Sequence, residues 1–135
     1  KIIVKRYFDR GGTIVLGSDR QLREGTEPGF AVQSELHVLS AAGIPNADVI
    51  RIATINGARA MGLGDRLGTI EVGKWADFFV VDGDPLADIT QTRNISAVVR
   101  NGVAYDPEQL LESVVSKLGP AGPENWPDYR EDYRD

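Results

Sequence analysis

The sequence has no cysteine and a single histidine, His37. The first absence excludes a disulfide framework, a thiol nucleophile and any cysteine-based zinc site. The second bears on metals too, because a zinc site takes three or four N, O or S ligands and one histidine cannot build it. No apolar run approaches the ~18 residues of a membrane span, and no signal-peptide pattern opens the chain. Basic charge is not in excess. The 15 Lys and Arg stand against 20 Asp and Glu, and the net charge of −5 argues against a nucleic-acid surface. Methionine occurs once, at Met61, and the chain opens on Lys1 inside a helical pattern, so the sequence reads as part of a longer polypeptide. A cytoplasmic setting is the expectation.

What is present suits a folded domain: 135 residues, 41% hydrophobic and 26% charged. Ile2, Ile3, Tyr7 and Phe8 are spaced as on a short helix, stopped by Gly11-Gly12. Thr13-Ile14-Val15-Leu16 is a continuous apolar run with β-branched residues, the pattern of a parallel strand buried on both faces, and it ends in Gly17-Ser18-Asp19. Arg20 to Phe30 reads as a loop. Ser34 to Ala42 reads as a helix stopped by Gly43, and Pro45 opens another whose apolar face is Val49, Ile50, Ala53, Gly57, Ala60 and Met61. A small β module follows Gly62. Its strands are Asp77–Asp82, Ile95–Arg100 and Val103–Tyr105, the last two joined by the type I′ hairpin signal Asn101-Gly102. Asp106 caps a last helix with the stripe Leu110, Leu111, Val114, Val115 and Leu118. An acidic, proline-rich tail with Trp126, Tyr129 and Tyr133 ends the chain.

Asp19 is the leading candidate for chemistry. It stands at the carboxyl end of a strand, where α/β barrels and open sheets carry their catalytic groups, and a carboxylate there can ligate a metal or take a proton from water. The bland reading is a turn aspartate that caps the next element. His37, on an amphipathic helix, reads as a helix-face residue rather than a ligand. Gly62-Leu63-Gly64-Asp65-Arg66-Leu67-Gly68 misses the dinucleotide spacing by one residue and follows a helix, so its glycines read as turns. Arg20, Arg23 and Glu24 could meet a charged substrate group, but surface charge is the commoner explanation. Asn94-Ile95-Ser96 matches a glycosylation triplet of the kind that arises by chance.

In order along the chain, several stretches resemble the metal-dependent amidohydrolase superfamily. Gly11 to Asp19 is similar to its last barrel strand, and Glu35–Gly43 with Pro45 to the helix pair that follows. Ala53-Thr54-Ile55-Asn56-Gly57-Ala58 is similar to its "AAT-x-N-x-A" helix. Gly68-Thr69-Ile70-Glu71-Val72-Gly73-Lys74-Trp75-Ala76-Asp77 is similar to its "G-x-I-x-x-G-x-x-A-D" signature, and Pro85–Ile89 with Val98–Tyr105 to its ending. The nearest branches look like imidazolonepropionase and Xaa-Pro dipeptidase relatives.

The resemblance implies an α/β fold: the C-terminal end of a (β/α)8 TIM barrel plus part of a small β-sandwich. Residues 1–62 would be the last barrel segment and its trailing helices, 63–105 the second half of the sandwich, and 106–135 a helix and acidic tail. It implies hydrolysis of C–N bonds in an amide, cyclic amide or dipeptide by water activated on one or two divalent metals, zinc first. Asp19 would be proton acceptor and metal-site residue. The histidines and bridging carboxylate that complete such a centre are missing from this sequence, so the implied partner is the upstream part of the enzyme or a chain carrying it. No metal and no activity are expected of this chain alone, and a homo-oligomer is compatible with these readings. The alternative is a non-catalytic α/β module that binds or assembles.

Overall fold

The computed structural model describes residues 2–18 and 30–114. Helix α1 spans Ile2–Asp9. Helix α2 runs Phe30–Ala41, a turn earlier than the polar residues before it suggest. Helix α3, Asn46–Arg51, continues without a break into a π turn, Ile52–Asn56, and then α4, Gly57–Ala60. Strands β1 (Phe78–Val81), β2 (Ile95–Arg100) and β3 (Val103–Tyr105) form one antiparallel sheet in the order β1-β2-β3, with a 3-10 turn at Ile89–Arg93 before β2. Helix α5 spans Pro107–Val114. No helix among the described residues is long and apolar enough to cross a membrane.

The helix ends follow from glycine. Gly43 has φ +91, a left-handed backbone that side chains resist. Its N–H reaches Ser40 O at 2.8 Å while Ile44 N–H reaches Leu39 O at 3.3 Å, the paired bonds that close a helix C-terminus. The same pair recurs after α1, at Gly11 and Gly12, and after α4, at Gly62 and Leu63. Closure at Gly43 also brings Ile44 back to Leu39, and both lie in the core.

That core is helical. Leu36 and Leu39 of α2, Ile44, Val49, Ile52 and Ile89 form one buried cluster, with Phe8, Ile14 and Leu16 packed against it. The stripe buried along α3, the π turn and α4 is Val49, Ile52, Ile55 and Ala58, not the face ending at Ala60 and Met61, which are exposed. The four buried residues stand three apart because the element is packed on two sides, Val49 and Ile52 by the helical core and Ile55 and Ala58 by the turn at Gly68.

The sheet lies apart from this core. No residue of its three strands is fully buried. The hairpin forms as its residues dictate: Asn101 (φ 50) and Gly102 (φ 77) make the two-residue turn between Arg100 and Val103. A bulge interrupts β1–β2 pairing between Val80 and Val81. Asp106 caps α5, accepting Glu108 N–H at 2.9 Å, whereas Leu110 and Leu111 of its expected stripe are exposed.

Residues 13–16 depart from their reading as a strand buried on both faces. They form no strand ladder with any described residue, Ile14 and Leu16 are half-buried, and Val15 is 45% exposed. A strand exists only where neighbours take up its N–H and C=O groups, and none of the described segments does so here.

Candidate functional site

Segment 12–18 leads to the candidate Asp19, and it is anchored from the helices. Ile14 and Leu16 turn toward the helical core. Asn56, the last residue of the π turn, donates from Nδ2 to the Ile14 carbonyl at 2.9 Å across 42 residues of sequence. Val15 lies over the next residue, its Cγ1 3.9 Å from where a Cβ of Gly57 would stand. Thr54 donates its hydroxyl to Ile50 O at 2.7 Å, a side-chain bond from the π turn back to α3. Sequence reasoning places Asn56 in a motif without giving it a task. A carboxamide in a mostly apolar helix stretch is the signal that could have found it.

Asp19, Arg20, Arg23 and Glu24 lie outside the described residues. His37 is exposed on α2 and joins no cluster. Among the described residues no three His, Asp or Glu side chains come together as a metal ion requires. By themselves, these residues do not fit a divalent metal.

The glycine-rich signature is a packing device. Gly68, at φ +95, lies on the π turn and α4 so closely that a Cβ would stand 2.7 Å from Ile55 Cα and 2.8 Å from Ala58 Cβ. Lys74, largely buried, donates to Gly64 O at 2.8 Å and to the Thr69 hydroxyl at 2.6 Å, with Glu71 3.6 Å away. Arg66 lies 5.7 Å from the centre of the Trp75 ring. Asp77 accepts Asn101 N–H at 2.6 Å and pairs with Arg100 at 3.2 Å, so it holds the β2–β3 turn rather than a reacting group. The glycine spacing that approaches a nucleotide loop is a set of turns joined to this device.

A cavity of about 490 Å³ opens between helices and sheet, lined chiefly by apolar groups that include Leu36, Ile50, Trp75, Phe78, Phe79 and Val81. Polar bonds pin the elements around it. Asn46 donates to Leu86 O at 3.0 Å and receives the Ser40 hydroxyl at 2.7 Å, and Thr92 donates to Gln33 Oε1 at 2.7 Å. Two carboxylates of the adjoining turns are held below their ordinary values. The Thr90 hydroxyl, then the Thr90 N–H and the Gln91 amide, stabilise ionised Asp88. The Thr69 hydroxyl and then the Lys74 charge do so for Glu71. Both are exposed and serve turns. The Asn94 amide is engaged with Asp82 O and Gln91 Oε1.

The amidohydrolase family model matches residues 2–104. The chain belongs to the amidohydrolase family. It is 31% identical over 115 residues to the imidazolonepropionase of Syntrophobacter fumaroxidans, covering 82% of this chain and 27% of that protein. It is 35% identical over 85 residues to the 5-methylthioadenosine/S-adenosylhomocysteine deaminase of the same organism, covering 58% of this chain and 19% of that protein. Among solved structures it resembles a molinate hydrolase, with TM-score 0.70 and 29% identity over 87% of this chain and 28% of that one. It also resembles a Xaa-Pro dipeptidase solved with bound methionine, with TM-score 0.67 and 30% identity over 77% and 25%. The chain thus spans about a quarter of the length of such amidohydrolases. Its helix motif and glycine signature fall inside the matched residues and have the packing roles just described.

Proposed function

We propose that this chain is the C-terminal portion of a metal-dependent hydrolase that cleaves C–N bonds in amides, cyclic amides or dipeptides, with Asp19 as its proton acceptor. The observation that carries the reading is the family match over residues 2–104, a range that includes position 19. The activities of two relatives, an imidazolonepropionase and a Xaa-Pro dipeptidase, support the bond class.

In such a reaction water adds its oxygen to the carbonyl carbon while a base takes one proton. The C–N bond then breaks, and the nitrogen leaves with a proton, giving an acid and an amine. A carboxylate can perform both transfers, first as base and then as acid. One or two divalent ions, zinc in first place, belong to the proposal and would contribute Lewis-acid polarisation of the carbonyl. Asp19 would be one of their ligands. The remaining donors would come from upstream polypeptide or from another chain carrying it, since the described residues provide no set.

Two features of the fold support the need for that partner. Segment 13–16 lacks ladder partners among the described residues, and the three-stranded sheet buries none of its side chains fully. A barrel would supply strands beside the first, and the other half of a β-sandwich would cover the second. Metal analysis and hydrolysis assays on dipeptides, linear amides and cyclic amides, with and without the upstream polypeptide, test the reading. Metal and turnover in the longer protein alone are the expected result. A longer protein that is metal-free and inert would leave the non-catalytic assembly module in its place.

A further inference from the structure

We propose that the β2–β3 turn, Asn101-Gly102, is a site of spontaneous deamidation that Ala76 and Asp77 hold shut. The sequence holds two Asn-Gly steps, and the fold treats them differently. At the first, Asn56 donates its side-chain amide to Ile14 O at 2.9 Å, and Thr54 O takes up the Gly57 N–H. Both of these residues have helical angles and are half-buried. At the second, both residues are exposed, and a Cβ on Gly102 would meet nothing within 4 Å among the described residues. Water reaches this step from the outside of the turn.

The reaction needs only the turn and water. The Gly102 nitrogen attacks Cγ of Asn101, a C–N bond forms, and the bond from Cγ to the side-chain NH2 breaks. That group leaves as ammonia, carrying the proton that Gly102 N gives up. Water then opens the five-membered succinimide at either carbonyl, giving aspartate or isoaspartate. Glycine at the second position favours the closure, since no Cβ crowds the attacking nitrogen. Two contacts oppose it in the folded hairpin. Gly102 N–H donates to Ala76 O at 3.0 Å, so the attacking nitrogen is engaged and its proton is held. Asp77 accepts Asn101 N–H at 2.6 Å and pairs with Arg100 at 3.2 Å, which fixes the backbone of the turn. Its carboxylate also sets a negative charge one peptide away from a nitrogen that must lose a proton to react. Ala76 and Asp77 are adjacent and directly precede β1, so one short segment makes both bonds. The step reacts when that segment lets go of the turn, and each product disfavours closing again. Aspartate brings a second carboxylate to the turn that Asp77 holds. Isoaspartate adds a backbone atom to a turn built on two residues at positive φ.

The test follows both Asn-Gly steps by mass-spectrometric peptide mapping of the longer polypeptide that carries this chain, incubated at neutral pH. In guanidinium the two steps should deamidate at similar rates. In the folded protein Asn101 should slow by about 10–100-fold, the effect of two hydrogen bonds that must open first, and Asn56 should slow further. Asp77→Ala should speed Asn101 by about tenfold over the folded wild type, with Asn56 unchanged. Asp77→Asn keeps an acceptor oxygen and loses the charge, so its rate should fall between. A folded wild type in which Asn101 reacts as fast as in guanidinium would overturn the proposal. So would Asn56 reacting as fast as Asn101 in the folded protein, or a folded Asp77→Ala protein with the wild-type rate. If Asp77→Ala does not fold, Asn56 speeds as well, and hydrogen exchange of the Gly102 amide in the wild type decides. As guanidinium is raised below the unfolding transition, that exchange and Asn101 deamidation should rise in step. Exchange that rises while deamidation stays constant would overturn the proposal.

Discussion

Gly68 and Ile55 are in such close contact that a Cβ on Gly68 would stand 2.7 Å from the Ile55 Cα. This approach locks the glycine-rich loop before the sheet onto the π turn that carries Asn56. The backbone of Gly68 is also left-handed, so a side chain there meets strain as well as contact. Gly68→Ala should destabilise the protein by about 2–4 kcal/mol, the sum of overpacking and left-handed strain. Gly57→Ala is the contrasting case. Gly57 has helical angles, and its added Cβ would meet only Val15 at 3.9 Å, so about 0.4–1 kcal/mol of stabilisation is expected from the stiffer unfolded chain. Urea unfolding of both variants checks the pair, and equal effects would contradict this packing.

Asp77 and Arg100 differ in burial, and their substitutions should differ accordingly. Asp77 is 18% exposed and accepts the Asn101 N–H, while Arg100 is 70% exposed. Asp77→Ala should cost about 1–3 kcal/mol, because a turn N–H loses its charged acceptor. Arg100→Ala should cost less than about 1 kcal/mol, as an exposed pair does. Thermal unfolding of the two variants separates the turn clamp from the ion pair.

Helix ends and the hairpin are legible in the sequence because each depends on local backbone chemistry. Gly43, Gly62 and Asn101-Gly102 adopt positive φ where their residue types allow it. The π turn is not legible. Ile52–Asn56 has the spacing of an ordinary helix, and its register change comes with tertiary contacts, Gly68 on one side and Ile14 on the other. A plain helical spacing misses the buried stripe Val49, Ile52, Ile55 and Ala58 because the helical core covers the first two and the turn at Gly68 the last two. The strand character of Thr13–Leu16 follows from β-branched composition, but a strand is realised only by neighbours. Asp19 is legible as a candidate from its place after that run and lies outside the described residues.

Acid should weaken the turn at Asp88. Its carboxylate is held below the ordinary 3.8 by the Thr90 hydroxyl and N–H and by Gln91. A carboxylate with a lowered folded value contributes stability that is fully present above 3.8 and is lost as the pH falls below it through the folded value. Asp88 is exposed, so the effect is small. Melting curves at about pH 5 and about pH 3, on either side of the ordinary carboxylate value, should show Asp88→Asn losing less stability than the wild type over that interval. A variant that loses more would contradict the cap.

The bare sheet and the unpaired segment predict association when this chain is purified by itself. Strand edges and apolar faces left open draw in other chains, and Phe79, Val80 and Val103 are exposed along β1 and β3. Sedimentation velocity should show self-association or aggregation. A monomer that unfolds cooperatively would contradict the partnered fold proposed above.

The most direct measurement is the turnover of Asp19→Asn in the longer polypeptide. Asparagine keeps the shape and one oxygen but cannot accept the proton. The account predicts a rate lower by about 10²–10⁴-fold, the usual loss with a general base, with the melting temperature unchanged. Near-normal turnover in a folded Asp19→Asn protein would contradict it and return Asp19 to the role of a turn residue.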